Sequence, residues 1–151
     1  MKNIDNNRTL NIILVEYINR NLGDTVIAES TLFFLKEALK ELAITNYTIH
    51  EYNMYQRDME YIRHADLIIF AGGGLIKYKR EDFYQFVPEI IEVAEREDIP
   101  VYINATGVEG YEETDERCKK LKRAVNSECV KGITVRDDFK TFKQYYVESK
   151  K

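Results

Sequence analysis

The sequence predicts an α/β fold of the doubly wound, three-layer kind, with a mostly parallel five-stranded sheet. Three observations carry that prediction. Short apolar runs alternate with helical patterns along the chain. Two runs, at residues 10–15 and 66–70, are the most continuously apolar of the chain rather than alternating, as in strands covered on both faces. The second of them stops at three successive glycines, Gly72, Gly73 and Gly74. Such a bare backbone serves either a turn that needs positive φ or the close approach of another group. A tight strand-to-helix turn without a ligand and a binding turn at the strand's carboxyl end both remain open.

Each element follows in order. Residues 1–9 are polar and read as a loose, flexible tail, and residues 10–151 as a single α/β domain. The run at 10–15 suits a central strand. A polar loop at 16–23 follows it, and the period then changes. Ile27, Thr31, Phe34, Leu35, Ala38 and Leu42 share one helical face, with Asp24 or Thr25 as N-cap. Residues 47–52 alternate and are β-rich, which suits a second strand nearer the edge. Residues 58–64 make a short helix before the strand at 66–70. Phe83, Phe86, Val87, Ile90, Ile91 and Ala94 recur at helical spacing. Pro88 requires that helix to start only a turn earlier or to bend. A fourth strand at 100–104 leads into a glycine-bearing turn at 105–110. Residues 112–125 are helical, 130–135 form a fifth strand, and 137–147 a last helix. There is no repeat, low-complexity tract or linker.

Right-handed crossovers and the two most apolar strands at the centre give the order 2-1-3-4-5. The switch point then falls between strands one and three, where ligands of open α/β sheets bind. Two loops meet there: Asn19-Arg20-Asn21-Leu22-Gly23-Asp24 and Gly72-Gly73-Gly74.

Composition excludes several partners. The 151 residues fit one domain with its own core. Lysine and arginine number 22 against 26 aspartates and glutamates, and no basic cluster marks a nucleic-acid footprint. Cys118 and Cys129 lack CxxC spacing and neighbouring histidines, so they read as reduced thiols of a cytoplasmic protein without a metal site. Neither a signal peptide nor a membrane-spanning run is apparent.

The common chemistries of this fold do not fit. A dinucleotide fingerprint needs G-x-G-x-x-G after the first strand, and only Gly23 is there. G-x-x-x-x-G-K-[ST] is absent. A receiver domain would end the third strand in aspartate, where this chain has Phe70-Ala71. No serine has a G-x-S-x-G setting. What remains is a polar rim. Backbone N–H groups of Gly72, Gly73 and Gly74 and the helix start near Asp24 suit a carboxylate, a phosphate or sugar hydroxyls. Asn19 and Asn21 supply amides for hydroxyls, and the charge of Asp24 favours a hydroxyl-bearing ligand over a bare phosphate. Lys77, Lys79 and Arg80 form either a loop gripping an anion or a solvated patch. Arg136-Asp137 is either a ligand or interdomain contact or a strand-end ion pair. The tyrosines between 47 and 61 stack on sugar rings or pack the core. His50 and His64 read as ordinary surface or packing histidines.

Together, Asn21-Leu22-Gly23-Asp24, the segment from Ala65 through Gly72-Gly73-Gly74 to Leu75, and Ile133-Thr134-Val135-Arg136-Asp137 resemble the amino-terminal half of the polysaccharide pyruvyl transferase family. The resemblance covers nearly the whole chain from Leu10. It implies one half of a two-domain, GT-B-like enzyme that moves pyruvyl from phosphoenolpyruvate to a saccharide hydroxyl as a ketal, in envelope or capsule polysaccharide synthesis. Phosphoenolpyruvate is then a co-substrate, with no other cofactor. The implied partners are a saccharide or lipid-linked saccharide acceptor and a carboxyl-terminal domain that would follow Lys151 and carry most of the basic residues for the donor. This chain is thus expected to be incomplete by itself. It also departs from the family's G-I-G-P-like turn, having Gly107-Val108-Glu109-Gly110. The candidate base is Asp24. The candidate binding residues are Asn19, Asn21, Gly23, Gly72, Gly73, Gly74, Thr106, Gly107 and Arg136. A sugar-binding or partner-docking module, and the acceptor domain of a nucleotide-sugar glycosyltransferase, are the alternatives. Asn21 and Gly73 should converge at one end of the sheet, and an apolar patch should lie exposed where a second domain would dock.

Overall fold

The computed structural model describes residues 8–18 and 21–147. The elements are β1 (Leu10–Glu16), α1 (Leu22–Glu41), β2 (Tyr47–Asn53), a 3-10 turn (Met54–Gln56), α2 (Met59–Ile62), β3 (Leu67–Phe70) and β4 (Gly73–Lys77). They continue with α3 (Glu81–Arg96), β5 (Val101–Glu109), α4 (Glu116–Val125), β6 (Val130–Val135) and α5 (Phe139–Thr141), which runs on as a π-turn (Phe142–Tyr146). Residues 1–7 of the expected tail lie outside the described residues. Arg8 and Thr9 are tied down, Arg8 to Asp66 at 2.6 Å and Thr9 to Asn46 at 3.0 Å.

All pairings in the sheet are parallel. The five expected strands stand in the expected order, β2-β1-β3-β5-β6, and a sixth, β4, joins β5 on the side of β3. Phe70 faces Ile103 and Gly73 faces Thr106, a constant offset, so β4 prolongs the line of β3 past the end of β1. The glycines are therefore not a strand-to-helix turn. Gly72 and Gly73, at φ +90° and +83°, kink one strand line into its second half. Residues 105–110 are likewise not a turn as expected. β5 runs on to Glu109 because it now has β4 and β6 to pair with, and the chain turns at Gly110, where φ is +57°.

One face of the sheet, with Ile13, Val15, Ile68, Phe70, Val101 and Ile103, packs against α2, α3, α4 and the π-turn through Ile62, Phe86, Val87, Ile90, Leu121 and Tyr146. The opposite face packs under α1, where Leu14 and Ala71 meet Ala28, with Leu32, Ile49 and Ile69 around them. Tyr146 is wholly buried and its hydroxyl donates to the Gly110 carbonyl at 3.0 Å, which fastens the chain's end to the tail of β5.

Several boundaries differ from expectation for local reasons. The N-cap of α1 is Asn21, not Asp24 or Thr25: its Oδ1 accepts from Gly23 N at 3.1 Å and its carbonyl from Asp24 N at 3.1 Å. Asp24 is thus a first-turn residue whose carboxylate is spent on no backbone cap. The inward stripe of α1 is Ala28, Thr31 and Leu39, and Phe34 and Leu42 of the expected face are exposed. Phe34 and Phe33, both exposed, meet edge to face at 5.5 Å. The helix containing Pro88 starts at Glu81, about two turns earlier, and runs through the proline at the loss of one backbone bond. Asp115 caps α4 by accepting from Arg117 N at 2.9 Å, which starts that helix at Glu116 rather than at residue 112. The last helix starts at Phe139 with Asp138 as cap, rather than at residue 137.

The glycines differ in what they make room for. A methyl at Gly72 would lie 2.4 Å from Ile27 Cγ2 and 3.0 Å from the Asn104 carbonyl oxygen. At Gly74 the three nearest atoms all belong to the Lys77 side chain, the closest at 2.2 Å, and φ is not in the left-handed region. Gly72→Ala is accordingly expected to cost about 2–4 kcal/mol, and Gly74→Ala under about 1 kcal/mol, in urea unfolding followed by circular dichroism.

Glu16 ends β1 with 5 % of its surface exposed. Burial, then the charges of Glu51 and Glu29, raise its carboxyl to about 7 from the model-peptide 4.5. The folded chain keeps this proton up to about pH 7, whereas the unfolded chain releases it near 4.5, so stability falls as pH rises through that window. Glu16→Gln should stabilise the protein by about 1–3 kcal/mol at pH 8, and the gain should vanish near pH 4, measured by unfolding at both pH values.

Candidate functional site

A cleft of about 170 Å³ opens at the carboxyl end of the sheet. Its walls come from four places in the chain. The residue after β1, Tyr17, is 6 % exposed, and its ring lies against Phe83 of α3 at 4.5 Å and Tyr55 at 5.4 Å. Tyr55 donates its hydroxyl to Tyr17 at 2.8 Å and lies 3.2 Å from Asp82, while an Arg80 N–H reaches the Tyr17 hydroxyl at 3.3 Å. Burial and the Tyr17 hydroxyl push the Tyr55 phenol well above its ordinary range, which keeps it protonated.

Asn21 and Asp24, at the start of α1, supply the second wall. The Asn21 side-chain amide donates to Asp24 Oδ2 at 2.9 Å while its carbonyl caps the helix, so one side chain orients both the helix end and the carboxylate. A methyl at Gly73 would lie 3.4 Å from Asp24 Oδ1, which puts this carboxylate against the kinked strand line.

The third wall is β4 and the start of α3, with Gly74, Lys77 and Arg80. The bare backbone of Gly74 is what lets the Lys77 side chain fold back across it. Arg136 follows β6 and makes the fourth wall. Its backbone N–H donates to the Thr106 carbonyl at 3.1 Å, and the next residue, Asp137, accepts from Val108 N at 2.8 Å, so the segment is stapled to β5. A methyl at Gly107 would lie 3.2 Å from the Arg136 guanidinium, 2.9 Å from Asp137 Oδ2 and 3.3 Å from the Gly74 Cα. Gly107 thus lets β6's end approach β4.

The cleft carries three cations against the single carboxylate of Asp24. Each cation has an acidic neighbour at a long distance: Lys77 to Glu109 at 4.0 Å, Arg80 to Asp82 at 3.6 Å and Arg136 to Asp137 at 3.4 Å. Exposed pairs of this kind are worth little, so the cations can reorient toward a ligand. The Arg136–Asp137 ion pair forms at the end of the strand, and the arginine also lines the cleft. The arrangement suits a ligand with an anionic end and a hydroxyl-bearing end.

Of the candidate residues, Asn21, Asp24, Gly74 and Arg136 line the cleft, and Gly73 borders it. Asn21 and Gly73 do come together at one end of the sheet. Asn19 lies outside the described residues. Gly23 serves the cap and is exposed. Gly72 is occupied by Ile27, and Thr106 is fully buried with its hydroxyl turned to the Gly107 carbonyl at 3.3 Å, so neither is presented to a ligand. Tyr17 and Phe83 are the additions. Tyr17 follows directly on the continuous central strand, a position that points to the sheet's carboxyl end. Phe83 is masked in the sequence by its place in the helical pattern of α3.

A larger, open depression of about 440 Å³ lies at the far end of α1, bordered by Lys36, Lys40 and Tyr47. It sits by the amino end of β2, away from the switch point, and Lys40 is paired with Glu37. Among the described residues no group of three or more histidines, cysteines, aspartates or glutamates is placed to hold a metal. Cys118 and Cys129 are buried free thiols, both pushed up chiefly by burial. His50 meets Tyr61 edge to face at 5.6 Å and His64 lies exposed 3.8 Å from Glu60. Among the described residues no helix is long and apolar enough to cross a membrane.

Comparison with curated proteins and with solved structures gives no significant match. The sequence model of the family described as polysaccharide pyruvyl transferase matches residues 21–149. That span runs from the cap of α1 past the π-turn and takes in every described wall of the cleft except Tyr17. The chain belongs to the polysaccharide pyruvyl transferase family.

Proposed function

We propose that this chain is the amino-terminal half of an enzyme that transfers pyruvyl from phosphoenolpyruvate to a saccharide in envelope or capsule polysaccharide synthesis, in the cytoplasm. A second α/β domain, in a GT-B-like arrangement, completes the cleft and holds most of the donor. The observation that carries this reading is the convergence of Asn21, Asp24, Gly74 and Arg136, from three separate family segments, on one cleft at the switch point.

Ketal formation joins two hydroxyl oxygens of the acceptor to the central carbon of phosphoenolpyruvate and breaks its bond to the phosphate oxygen. Of the two hydroxyl protons, one ends on the methylene carbon, which becomes a methyl group, and the other on the departing phosphate. Asp24 is the base that takes the proton of the attacking hydroxyl, with Asn21 fixing its carboxylate. Arg136 and the N–H groups at Gly73 and Gly74 stabilise the charge that develops.

The exposed Phe33–Phe34 pair favours a second reading, a docking or sugar-binding module without turnover. A nucleotide-sugar glycosyltransferase is separated from both by calorimetry with phosphoenolpyruvate against nucleotide sugars. With the protein of the whole reading frame, phosphate release from phosphoenolpyruvate should depend on a saccharide acceptor. Asp24→Asn should lower kcat by roughly 10²-fold with unchanged melting temperature. Undiminished kcat in that variant removes Asp24 from the mechanism, and absence of any saccharide-dependent release defeats the transferase reading.

A further inference from the structure

The outward side of α1 carries a pattern of its own. Leu22, Val26, Glu29, Phe33, Lys36 and Lys40 follow one another at alternating steps of four and three residues, the spacing of a seam between paired helices, and all six are exposed. Leu22, Val26 and Phe33 are each more than half exposed. Three large apolar side chains on one line facing water mark a contact surface rather than scattered exposure.

The stripe is also polarised along its length. In its first half Glu29 stands near Glu51 of β2, and both act on the buried Glu16. Among the described residues none of these three acids is in an ion pair. In its second half Lys36 has no ion-pair partner among the described residues, and Lys40 has Glu37 at 3.9 Å, an exposed pair of little worth. The open depression of about 440 Å³ bordered by Lys36, Lys40 and Tyr47 lies at this basic end.

We propose that this stripe is the contact between two copies of the chain, paired antiparallel about a two-fold axis close to Phe33. Glu29 and Glu51 of each copy then face Lys36 and Lys40 of the other, and the two Phe33 rings meet near the axis. A parallel pair would set Glu29 against Glu29 and Lys36 against Lys36, so charge selects the antiparallel one. Such a contact uses the same patch on both copies and closes on two. It gathers apolar surface that α1 leaves in water and brings cations to three acids that lack them. The proposal is independent of the transferase reading, since none of the six residues lines the cleft.

Sedimentation equilibrium on the chain tests it. A monomer–dimer equilibrium with a Kd of about 1–100 µM is expected, and Phe33→Asp should weaken it at least roughly 10-fold. Glu29→Lys and Lys36→Glu should each weaken it roughly 10-fold, with circular dichroism unchanged. Both reversals in one chain should restore the wild-type constant, and an equimolar mixture of the two single variants should form a heterodimer tighter than either homodimer. A chain that stays monomeric to about 1 mM overturns the proposal. So does a dimer that Phe33→Asp leaves untouched, which would lie on another face. A double reversal no tighter than the single ones overturns the antiparallel pairing and the proposal with it.

Discussion

The contact of Ile27 with the bare backbone of Gly72 is the constraint on which the rest depends. It seats the first turns of α1 close on the strand line, with only the Ile27 side chain between helix and sheet there. The same residue, with its neighbour Gly73, takes the positive φ values that let β3 continue as β4 instead of turning away into a helix. Because β4 continues, β5 has a partner beyond the end of β1 and extends to Glu109. Because β5 extends, β6 can pair as far as Val135 and deliver Arg136 to the same end. One close approach thus raises a ledge above the sheet and brings α1's start against it.

The cleft is a consequence of that ledge. Asn21 and Asp24 approach from the helix side, and the cations approach from the strand side. The two halves are built by different means. The carboxylate is oriented by a short-range device, a side chain that caps a helix with one atom and holds Asp24 with another. The cations are placed by long-range strand pairing and are held only by distant, exposed acids. A rigid carboxylate and adaptable cations suit a ligand that must present one hydroxyl accurately while its charged end is gripped more loosely. Behind them, Tyr17, Tyr55 and Arg80 form a hydrogen-bonded wall whose phenol on Tyr55 stays protonated.

Legibility in the sequence follows the same division. The continuous apolar runs at the first and third strands placed both at the centre, because only strands covered on two faces can be apolar throughout. The sequence points to Asn21, Asp24, Gly74 and Arg136, which line the cleft, because short motifs mark the ends of elements. Asp24 was read as a cap because the helix start is set by one hydrogen bond from Asn21, which residue type alone places only to within a few positions. Phe34 was expected inside because both faces of α1 are rich in apolar residues, so periodicity does not single out the buried one.

What the sequence by itself determined is therefore the class of the fold, the order of its five main strands, the family, and the end of the sheet where a site belongs. The fold class, the strand order and the end of the sheet rest on local periodicity, apolar pattern and crossover handedness, and the family on the resemblance of three short motifs, all of which are properties of short stretches of residues. The tertiary structure decided the sixth strand, the separate uses of the three glycines, and the meeting of Lys77, Arg80 and Arg136. Those depend on which residues face one another across strands, as Gly73 faces Thr106. Such register is settled by packing between segments distant in sequence, and it leaves no periodic trace within any one of them.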